Sequence, residues 1–201
     1  MQISFVLEVI RQLNPGSVLD IGCGSGKYGV LMREYLPNAR LDGIEGFAAY
    51  ITDIHRVAYD HVYEVNAMEL VPKLDRGYDL AMMIDMFEHL TFDEGACLLQ
   101  ELSKRMKHIL VSVPVLHPQQ DAMHGNALQE HHAQYDVPKL RHLGFRQIWR
   151  IGGNYIALRS PTTVKLKREV LKWAATCLLP HWVSRTLAPI SRKLSPGHKH
   201  P

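Results

Sequence analysis

A short apolar strand that leads directly into a glycine-rich turn constrains this chain more than any other feature. The segment is VLDIGCGSG, residues 18–26, and a helix-like stretch follows it as far as residue 36. Glycine lets a backbone turn sharply and lie close to a bound ligand. The segment therefore predicts a strand–loop–helix unit of an α/β fold, with a ligand bound over the loop.

Strand-like and helix-like segments alternate along the first 160 residues. We predict strands at 17–21, 40–45, 61–65, 78–84, 108–113, 145–151 and 154–159, and helices at 2–13, 27–36, 46–57, 92–104 and 136–143. Such alternation is typical of a parallel sheet with helices on its faces. Gly152-Gly153 predicts a hairpin turn, which adds an antiparallel strand at one edge. Thr91 and Glu94 have the spacing of a capping box at the start of the fourth helix.

The charge of the chain is divided unevenly between two parts. The net charge is +3 over 201 residues. Residues 1–160 hold 15 Lys and Arg against 19 Asp and Glu, whereas residues 161–201 hold eight against one. We therefore predict one acidic domain at 1–160 and a basic appendage at 161–201.

The cysteines and the apolar runs exclude several classes of protein. Cys23, Cys97 and Cys177 lie far apart and form no CxxC pair, which favours a reducing compartment over a disulfide scaffold. No apolar run approaches the ~18 residues of a membrane span, and the N-terminus lacks the basic start of a signal peptide. We expect a cytoplasmic protein.

Charge helps to identify the ligand of the glycine loop. Gly24, Gly26 and Gly29 satisfy the GxGxxG spacing of dinucleotide sites, so a dinucleotide-binding oxidoreductase is one alternative. Asp20 would repel a pyrophosphate, however, whereas S-adenosylmethionine offers a cationic ammonium and a sulfonium. Glu45 ends the second strand, 19 residues after Gly26, where a carboxylate can accept both ribose hydroxyls.

These motifs resemble those of the class I S-adenosylmethionine-dependent methyltransferases. Residues 18–26 resemble the family's first motif, Glu45 its ribose acid, and Asn66-Ala67 its adenine-side motif, while Asp85–Leu90 resembles its D-x-x-E-H-L segment. The resemblance implies a Rossmann-like three-layer α/β sandwich. Its seven-stranded sheet would be mostly parallel with an antiparallel last strand, and the basic tail would lie outside it.

The resemblance also implies where each part of the cofactor would bind. The loop backbone would contact the methionine part, Asp20 its amino group and Glu45 the ribose. Asn66 and Ala67 would border the adenine, and residues 84 and 85 would face the methyl group. The complete predicted cofactor set is Asp20, Gly22, Cys23, Gly24, Gly26, Glu45, Asn66, Ala67, Ile84 and Asp85.

The acceptor is less constrained by the sequence. The family's adenine and amide N-methyltransferases carry an Asn/Asp-Pro-Pro-aromatic signature, where this chain has Asp85-Met86-Phe87. This favours an oxygen acceptor, which we expect to be a small molecule, a glycan or a lipid-linked compound. Residues 125–135 are rich in polar side chains and are predicted to cover this acceptor.

The predicted catalytic residues are Glu88, His89 and His131. Asp85, Glu88 and His89 are spaced i, i+3, i+4, so a helical turn would place them on one face as candidate ligands for a divalent cation. The segment also resembles the metal-assisted E-x-x-E-H motif of some O-methyltransferases, with Asp in place of the first Glu. The sequence does not favour a metal. If no metal is bound, a neutral His is a candidate base.

The tail is predicted to begin with a basic amphipathic helix at 164–179, with Trp173 at the border of its apolar face. Three roles compete: docking on the body or on a second subunit, peripheral membrane contact through 164–193 at the inner membrane face, and nucleic-acid binding. The acidic body disfavours nucleic acid and RNA methylation. A non-catalytic cofactor-binding or adaptor module is the remaining alternative to an enzyme.

Overall fold

The computed structural model of the chain describes residues 2–116 and 126–164. The helices are α1 (Gln2–Leu13), α2 (Lys27–Tyr35), α3 (Asp53–Ala58), α4 (Ala67–Leu70), α5 (Phe92–Ser103) and α6 (Val137–His142). The strands are β1 (Ser17–Ile21), β2 (Arg40–Glu45), β3 (His61–Glu64), β4 (Tyr78–Ile84), β5 (Met106–Pro114), β6 (Gln147–Ile151) and β7 (Asn154–Arg159). These strands form one sheet in the order β3-β2-β1-β4-β5-β7-β6, in which β7 runs antiparallel to both of its neighbours. The predicted fold class is confirmed.

Helices cover both faces of the sheet, because the central strands are apolar on both sides. α1, α2 and α3 pack on one face, where Phe5, Val9 and Met32 are buried. α4, α5 and α6 pack on the other, where Leu102 and Leu140 are buried. β4 is buried along almost its whole length, as expected of a parallel strand covered on two faces.

The strand order places a crevice at one end of the sheet. The chain moves outward from β1 to β2 and β3 and then returns to place β4 on the other side of β1. Ligands of open α/β sheets bind where the order reverses in this way, beyond the carboxyl ends of the strands. The segments that follow β1, β2, β3 and β4 all meet there.

Local signals place the ends of two helices. At α5, Thr91 N–H donates to Glu94 Oε2 at 2.9 Å and Glu94 N–H donates to Thr91 Oγ1 at 3.3 Å, so the predicted capping box is confirmed. The prediction of a single helix at 46–57 is wrong. A 3-10 turn at Ala48–Tyr50 and α3 are separated by two extended residues, because Thr52 adopts the extended backbone of an N-cap.

The predicted tail helix lies outside the described residues, apart from its first residue, Val164. Within the described parts of the chain, none of the helices combines the length and the apolar character that crossing a bilayer requires.

Gly77, in the turn before β4, packs closely against the backbone of Arg105, and this contact provides a test of the fold. A Cβ added at Gly77 would lie 2.4 Å from the carbonyl oxygen of Arg105. We expect Gly77→Ala to lower the free energy of unfolding by about 1–3 kcal/mol, as overpacking does. Urea denaturation followed by circular dichroism measures this.

Gly153→Ala is the matched control, because its Cβ would meet nothing within 4 Å and its φ is not positive. We expect a change within about 0.5 kcal/mol. Equal effects of the two substitutions would contradict the packing at Gly77.

Candidate active site

The glycine loop is tied to the end of β2. Gly22 N–H and Cys23 N–H both donate to the carbonyl of Ile44, at 2.8 and 3.1 Å. Gly22 has φ +72°, and a Cβ there would lie 2.5 Å from Met86 Cγ. Both the backbone conformation and the space therefore require glycine at this position.

α3 holds the same loop from the other side through His55, which is buried. Thr52 N–H donates to His55 Nδ1 at 3.1 Å, and His55 Nε2 lies 2.9 Å from the carbonyl of Gly24. Because a carbonyl only accepts, Nε2 carries the hydrogen and Nδ1 the lone pair. Sequence reasoning missed His55, although it stands three residues after Thr52, at the capping-box spacing.

Asp20 lies behind the loop and is bound by Tyr59, which also escaped the sequence analysis. The Tyr59 hydroxyl donates to Asp20 Oδ2 at 2.6 Å and accepts from Gly29 N–H at 3.0 Å. Burial raises the pKa of Asp20 to about 7, although the Tyr59 hydrogen bond opposes that rise. Asp20 is therefore partly protonated at neutral pH.

Glu45 ends β2 at the edge of the crevice, as predicted. Its Oε2 accepts from Gly24 N–H at 2.8 Å, and its Oε1 accepts from Phe47 N–H at 2.8 Å. These two bonds hold the carboxylate plane in place. Each oxygen keeps a second acceptor position, since a carboxylate has about four lone-pair sites.

The crevice contains a cavity that most of the predicted cofactor residues line. Six of them line it: Gly22, Gly24, Glu45, Asn66, Ala67 and Asp85. Four do not, namely Asp20, Cys23, Gly26 and Ile84, which are buried. The other lining residues are Ile44, Gly46, Met86, His89, Leu90, Asn126, Leu128 and Gln129, of which the last three reach over from the segment after β5.

Asp85 lies outside the group that Glu88 and His89 form, so of the three candidate metal ligands only Glu88 and His89 come together. Asp85 has φ +53° and lies before the 3-10 turn Phe87–His89, which interrupts the helical path. Its Oδ1 accepts from Gln2 Nε2 at 2.8 Å and from Asn154 Nδ2 at 3.1 Å. Asp85 therefore faces the α1 and β7 side of the crevice.

Three hydrogen bonds join the 3-10 turn to the segment at 130–133. His132 N–H and Ala133 N–H donate to the carbonyl of Glu88 at 3.0 and 3.2 Å. His89 Nδ1 donates to the carbonyl of Glu130 at 3.1 Å. This pairing brings the rings of His89 and His131 to a centroid distance of 5.0 Å.

Glu88, His89 and His131 form one cluster, and each has a ligand atom within 4.8 Å of the other two. Glu88 is buried, and no described residue forms a hydrogen bond with its Oε2. Burial raises the pKa of Glu88 to about 8. Burial lowers the pKa of His89, so its ring is neutral, with the hydrogen on Nδ1 and the lone pair on Nε2.

Acidic side chains at this end of the sheet lack cationic partners within the described residues. Among the ion pairs of the described residues, none includes Asp20, Glu45, Asp85 or Glu88. No Lys or Arg belongs to the described lining of the cavity. The cavity thus suits a ligand with positive charge and lacks the cations expected around a pyrophosphate.

Comparison of the sequence with models of known protein families shows to which family the chain belongs. Residues 3–149 match the family described as "Methyltransferase domain". The chain belongs to this family. A comparison with curated protein sequences finds no match.

Solved structures of methyltransferases share the fold of this methyltransferase domain. An O-methyltransferase family protein from Burkholderia thailandensis has a TM-score of 0.59 and 13% identity, over 81% of this chain and 57% of that one. A putative O-methyltransferase from Nostoc punctiforme PCC 73102 has a TM-score of 0.58 and 16% identity, over 78% and 55%. The plantazolicin methyltransferase BamL, in complex with a triazolic desmethylPZN analog and SAH, has a TM-score of 0.57 and 16% identity, over 90% and 80%. The chain spans little more than half the length of the first two.

The buried Glu88 predicts a pH dependence of stability. Its pKa is about 8 in the folded state against an ordinary value of 4.5, so the unfolded state loses this proton first. Between about pH 5 and 8 the unfolded state binds fewer protons, and stability falls as pH rises.

We expect Glu88→Gln to reduce this fall in stability. Relative to the wild type, the variant should gain up to a few kcal/mol in the free energy of unfolding between pH 5 and pH 8, because one pKa unit corresponds to about 1.4 kcal/mol. Urea unfolding of both proteins from pH 5 to 8 measures it. Identical slopes would show that Glu88 is ionised in the folded protein.

Proposed function

We propose that this methyltransferase domain transfers the methyl group of S-adenosylmethionine to a hydroxyl oxygen of a small-molecule, glycan or lipid-linked acceptor. One observation carries the cofactor assignment: the cavity at the switch point has Glu45 on its wall, and its described lining contains no cation. A sulfonium and an ammonium gain from such surroundings, whereas a dinucleotide pyrophosphate does not.

The contacts of the loop support a specific placement of the cofactor. The Glu45 carboxylate would accept the two ribose hydroxyls with its remaining lone pairs. Asn66 and Ala67 would border the adenine. Gly22 and Gly24 would present backbone to the methionine part, and Asp20 would act through the loop it supports, since it does not line the cavity. The solved BamL structure, which contains SAH, supports a cofactor of this type.

Methyl transfer itself needs alignment more than covalent help. The acceptor oxygen donates an electron pair to the methyl carbon, an O–C bond forms, and the S–C bond breaks. The sulfur keeps the bonding pair and becomes a neutral thioether, so the product is S-adenosylhomocysteine. The hydroxyl proton must leave, and a base near the oxygen makes the oxygen a better nucleophile.

His89 is the base that the geometry favours. It lines the cavity, and its Nδ1–H is held by the carbonyl of Glu130, so Nε2 has the lone pair that accepts the proton. The lowered pKa of His89 keeps this lone pair available at neutral pH. Glu88, protonated below about pH 8, supplies a hydrogen-bond donor beside it, and His131 completes the acceptor side.

The same three side chains also fit a divalent cation, which is the second candidate for the acceptor side. Two imidazoles and a carboxylate are a common ligand set for catalytic zinc and for non-heme iron. The hydrogen bond from His89 Nδ1 to a backbone carbonyl is the support that metal-bound histidines usually have. A bound cation would lower the pKa of the acceptor hydroxyl.

The cofactor assignment is tested by calorimetry with S-adenosylhomocysteine and with NAD. We expect S-adenosylhomocysteine to bind. Glu45→Gln should weaken its binding about 10- to 100-fold, because a hydrogen bond to a charged group contributes about 1.5–3 kcal/mol.

Glu64→Gln is the matched control, because Glu64 is paired with Glu45 in register on β3 and is exposed. We expect it to bind as the wild type does. Binding of NAD in place of S-adenosylhomocysteine would instead support an oxidoreductase.

The acceptor side is tested by release of S-adenosylhomocysteine with a panel of phenol, sugar and lipid-linked alcohol acceptors. We expect His89→Ala to lower the rate about 10²- to 10⁴-fold, as loss of a general base does. His131→Ala should lower it as well, and both variants should retain cofactor binding. His132→Ala is the control, because His132 is exposed and lies outside the cluster.

EDTA separates the two mechanisms. Full activity in EDTA supports His89 as base, whereas loss restored by Mn²⁺ or Zn²⁺ supports a cation at the cluster. Cofactor binding without turnover of any acceptor would favour a non-catalytic module.

A further inference from the structure

Four side chains from different parts of the fold meet at the α1 and β7 side of the crevice. Gln2 belongs to α1, Asp85 follows β4, Ser112 lies in β5 and Asn154 begins β7. Gln2 Nε2 donates to Asp85 Oδ1 at 2.8 Å and to Ser112 Oγ at 2.6 Å. Asn154 Nδ2 donates to the same two atoms, at 3.1 and 3.3 Å. We name these four residues the Asp85 network.

The network binds only one of the two carboxylate oxygens. The Ser112 hydroxyl also donates to Asp85 Oδ1, at 3.3 Å, so three donor groups converge on that oxygen. Within the parts of the chain that the structure describes, Asp85 Oδ2 makes no hydrogen bond and no ion pair. Asp85 is exposed and lines the cofactor cavity. Its Oδ2 can therefore accept hydrogen bonds from a ligand in that cavity.

The backbone of Asp85 is held in a conformation that residues other than glycine rarely adopt. Its φ is +53°, and its N–H donates to the carbonyl of Ser112 at 3.1 Å. Left-handed backbone at such a residue persists where the surroundings fix it, and it is common at functional sites. Main chain and side chain of Asp85 are thus both fixed from β5, and the side chain also from α1 and β7.

The described lining of this cavity offers little surface for an aromatic or a lipid acceptor. It contains no Phe, Tyr or Trp, and its larger apolar members and alanine are Ile44, Ala67, Met86, Leu90 and Leu128. Ile44 lies in β2, Ala67 begins α4, and Leu128 packs against Gly46. These three lie on the side where the adenine is proposed to bind. Apolar ligands usually need a mainly apolar or aromatic pocket, which the side with Asp85 does not provide.

We propose that Asp85 is a specificity-determining residue for a sugar or another polyol as the acceptor, and that Gln2 and Asn154 are its positioning residues. The proposal rests on the proposed function, in which His89 takes the proton of the hydroxyl that is methylated. A second hydroxyl, on the adjacent carbon of the same acceptor, donates to Asp85 Oδ2. Asp85 itself forms no covalent bond, because the new O–C bond forms at the first hydroxyl alone.

Several hydroxyls on one acceptor suit this part of the cavity better than a single hydroxyl does. Asp85 Oδ2 accepts hydrogen bonds, and Asn126 and Gln129, which line the same cavity, carry amides. Each hydroxyl of a polyol can both donate and accept. A phenol or a long-chain alcohol has one hydroxyl, which the methylation itself uses, so Asp85 Oδ2 would lose contact with water and gain no partner.

The test compares acceptors that differ by one hydroxyl. Methyl hexosides, the monodeoxy derivatives of each hexoside, a phenol and a long-chain alcohol are assayed by release of S-adenosylhomocysteine. We expect kcat/KM to be highest for a hexoside. For the derivative that lacks the hydroxyl beside the methylated one, kcat/KM should be about 10- to 100-fold lower, because a hydrogen bond to a carboxylate is lost.

Asp85→Asn removes the free acceptor, because the network holds an oxygen at Oδ1 and turns the new amide nitrogen to the place of Oδ2. It should lower kcat/KM for the hexoside about 10- to 100-fold and for the deoxy derivative less than about three-fold. Asn154→Ala should raise KM for the hexoside about 3- to 10-fold with little change in kcat, since Asp85 Oδ1 loses one donor. Loss of folded protein would lower kcat instead.

Asp75→Asn is the matched control, because Asp75 is exposed and lies outside the cavity lining. It should use the hexoside and the deoxy derivative as the wild type does. Binding of S-adenosylhomocysteine, measured by calorimetry, should be retained in all three variants. If Asp85→Asn weakens that binding as much as it lowers kcat/KM, Asp85 belongs to the cofactor site and the proposal is overturned.

Three results with the acceptors would also overturn the proposal. They are equal use of the hexosides and their deoxy derivatives, preference for the phenol or the long-chain alcohol over every hexoside, and turnover of no hexoside. Failure of the wild type to bind S-adenosylhomocysteine would contradict the proposed function and this proposal together. The calorimetric result therefore distinguishes a failure of the cofactor assignment from a failure of the acceptor class.

Discussion

The functional end of this molecule depends on the carbonyl of Ile44, the residue before the end of β2. It accepts two hydrogen bonds from the first residues of the glycine loop, and so fixes the loop above the sheet. The side chain of the next residue, Glu45, accepts a hydrogen bond from Gly24 N–H of the same loop. Loop and carboxylate hold each other in place, which is why one short segment presents both backbone and charge to a ligand.

Hydrogen bonds from α3 and from the residue after it also hold the glycine loop and its surroundings in place. His55 of α3 reaches the loop, and Tyr59, which directly follows α3, reaches the buried Asp20. Buried polar groups need partners, because an unpaired one costs about 1–3 kcal/mol. The acid behind the loop is thereby satisfied by a hydroxyl instead of a cation.

Charge also separates the two ends of the sheet. Among the described residues, Asp20, Glu45, Asp85 and Glu88 lie where the parallel strands end, and Lys107, Arg146 and Arg159 lie at the opposite end; the ion pairs of these parts of the chain include none of the seven. Burial raises the pKa of Asp20 to about 7 and that of Glu88 to about 8, so both carboxyl groups carry less negative charge at neutral pH than exposed ones do.

Much of the fold could be predicted from the sequence because its signals are local. The strand before the glycine loop, the capping box of Thr91 and Glu94 and the glycine hairpin before β7 all depend on residues within a few positions of one another. Glu45 was also predictable, since its place follows from a strand end at a fixed distance from the loop. The prediction of a helix at 46–57 failed for a local reason as well, because the extended N-cap at Thr52 separates the 3-10 turn from α3.

The grouping of Glu88, His89 and His131 was decided only by the tertiary structure. His89 and Glu130 are 41 residues apart, and hydrogen bonds between their segments bring His131 to His89. The spacing of Asp85 and Glu88 suggested a shared face, but the left-handed backbone at Asp85 turned that side chain away. In the same way, Lys107, Arg146 and Arg159 become neighbours because β5 and β6 begin, and the antiparallel β7 ends, at one edge of the sheet. The sequence by itself determined the strand, the loop and the position of Glu45, because their geometry is set by the local backbone. Tertiary structure decided this cluster and the meeting of Lys107, Arg146 and Arg159, because contacts between distant segments depend on how the helices and strands pack.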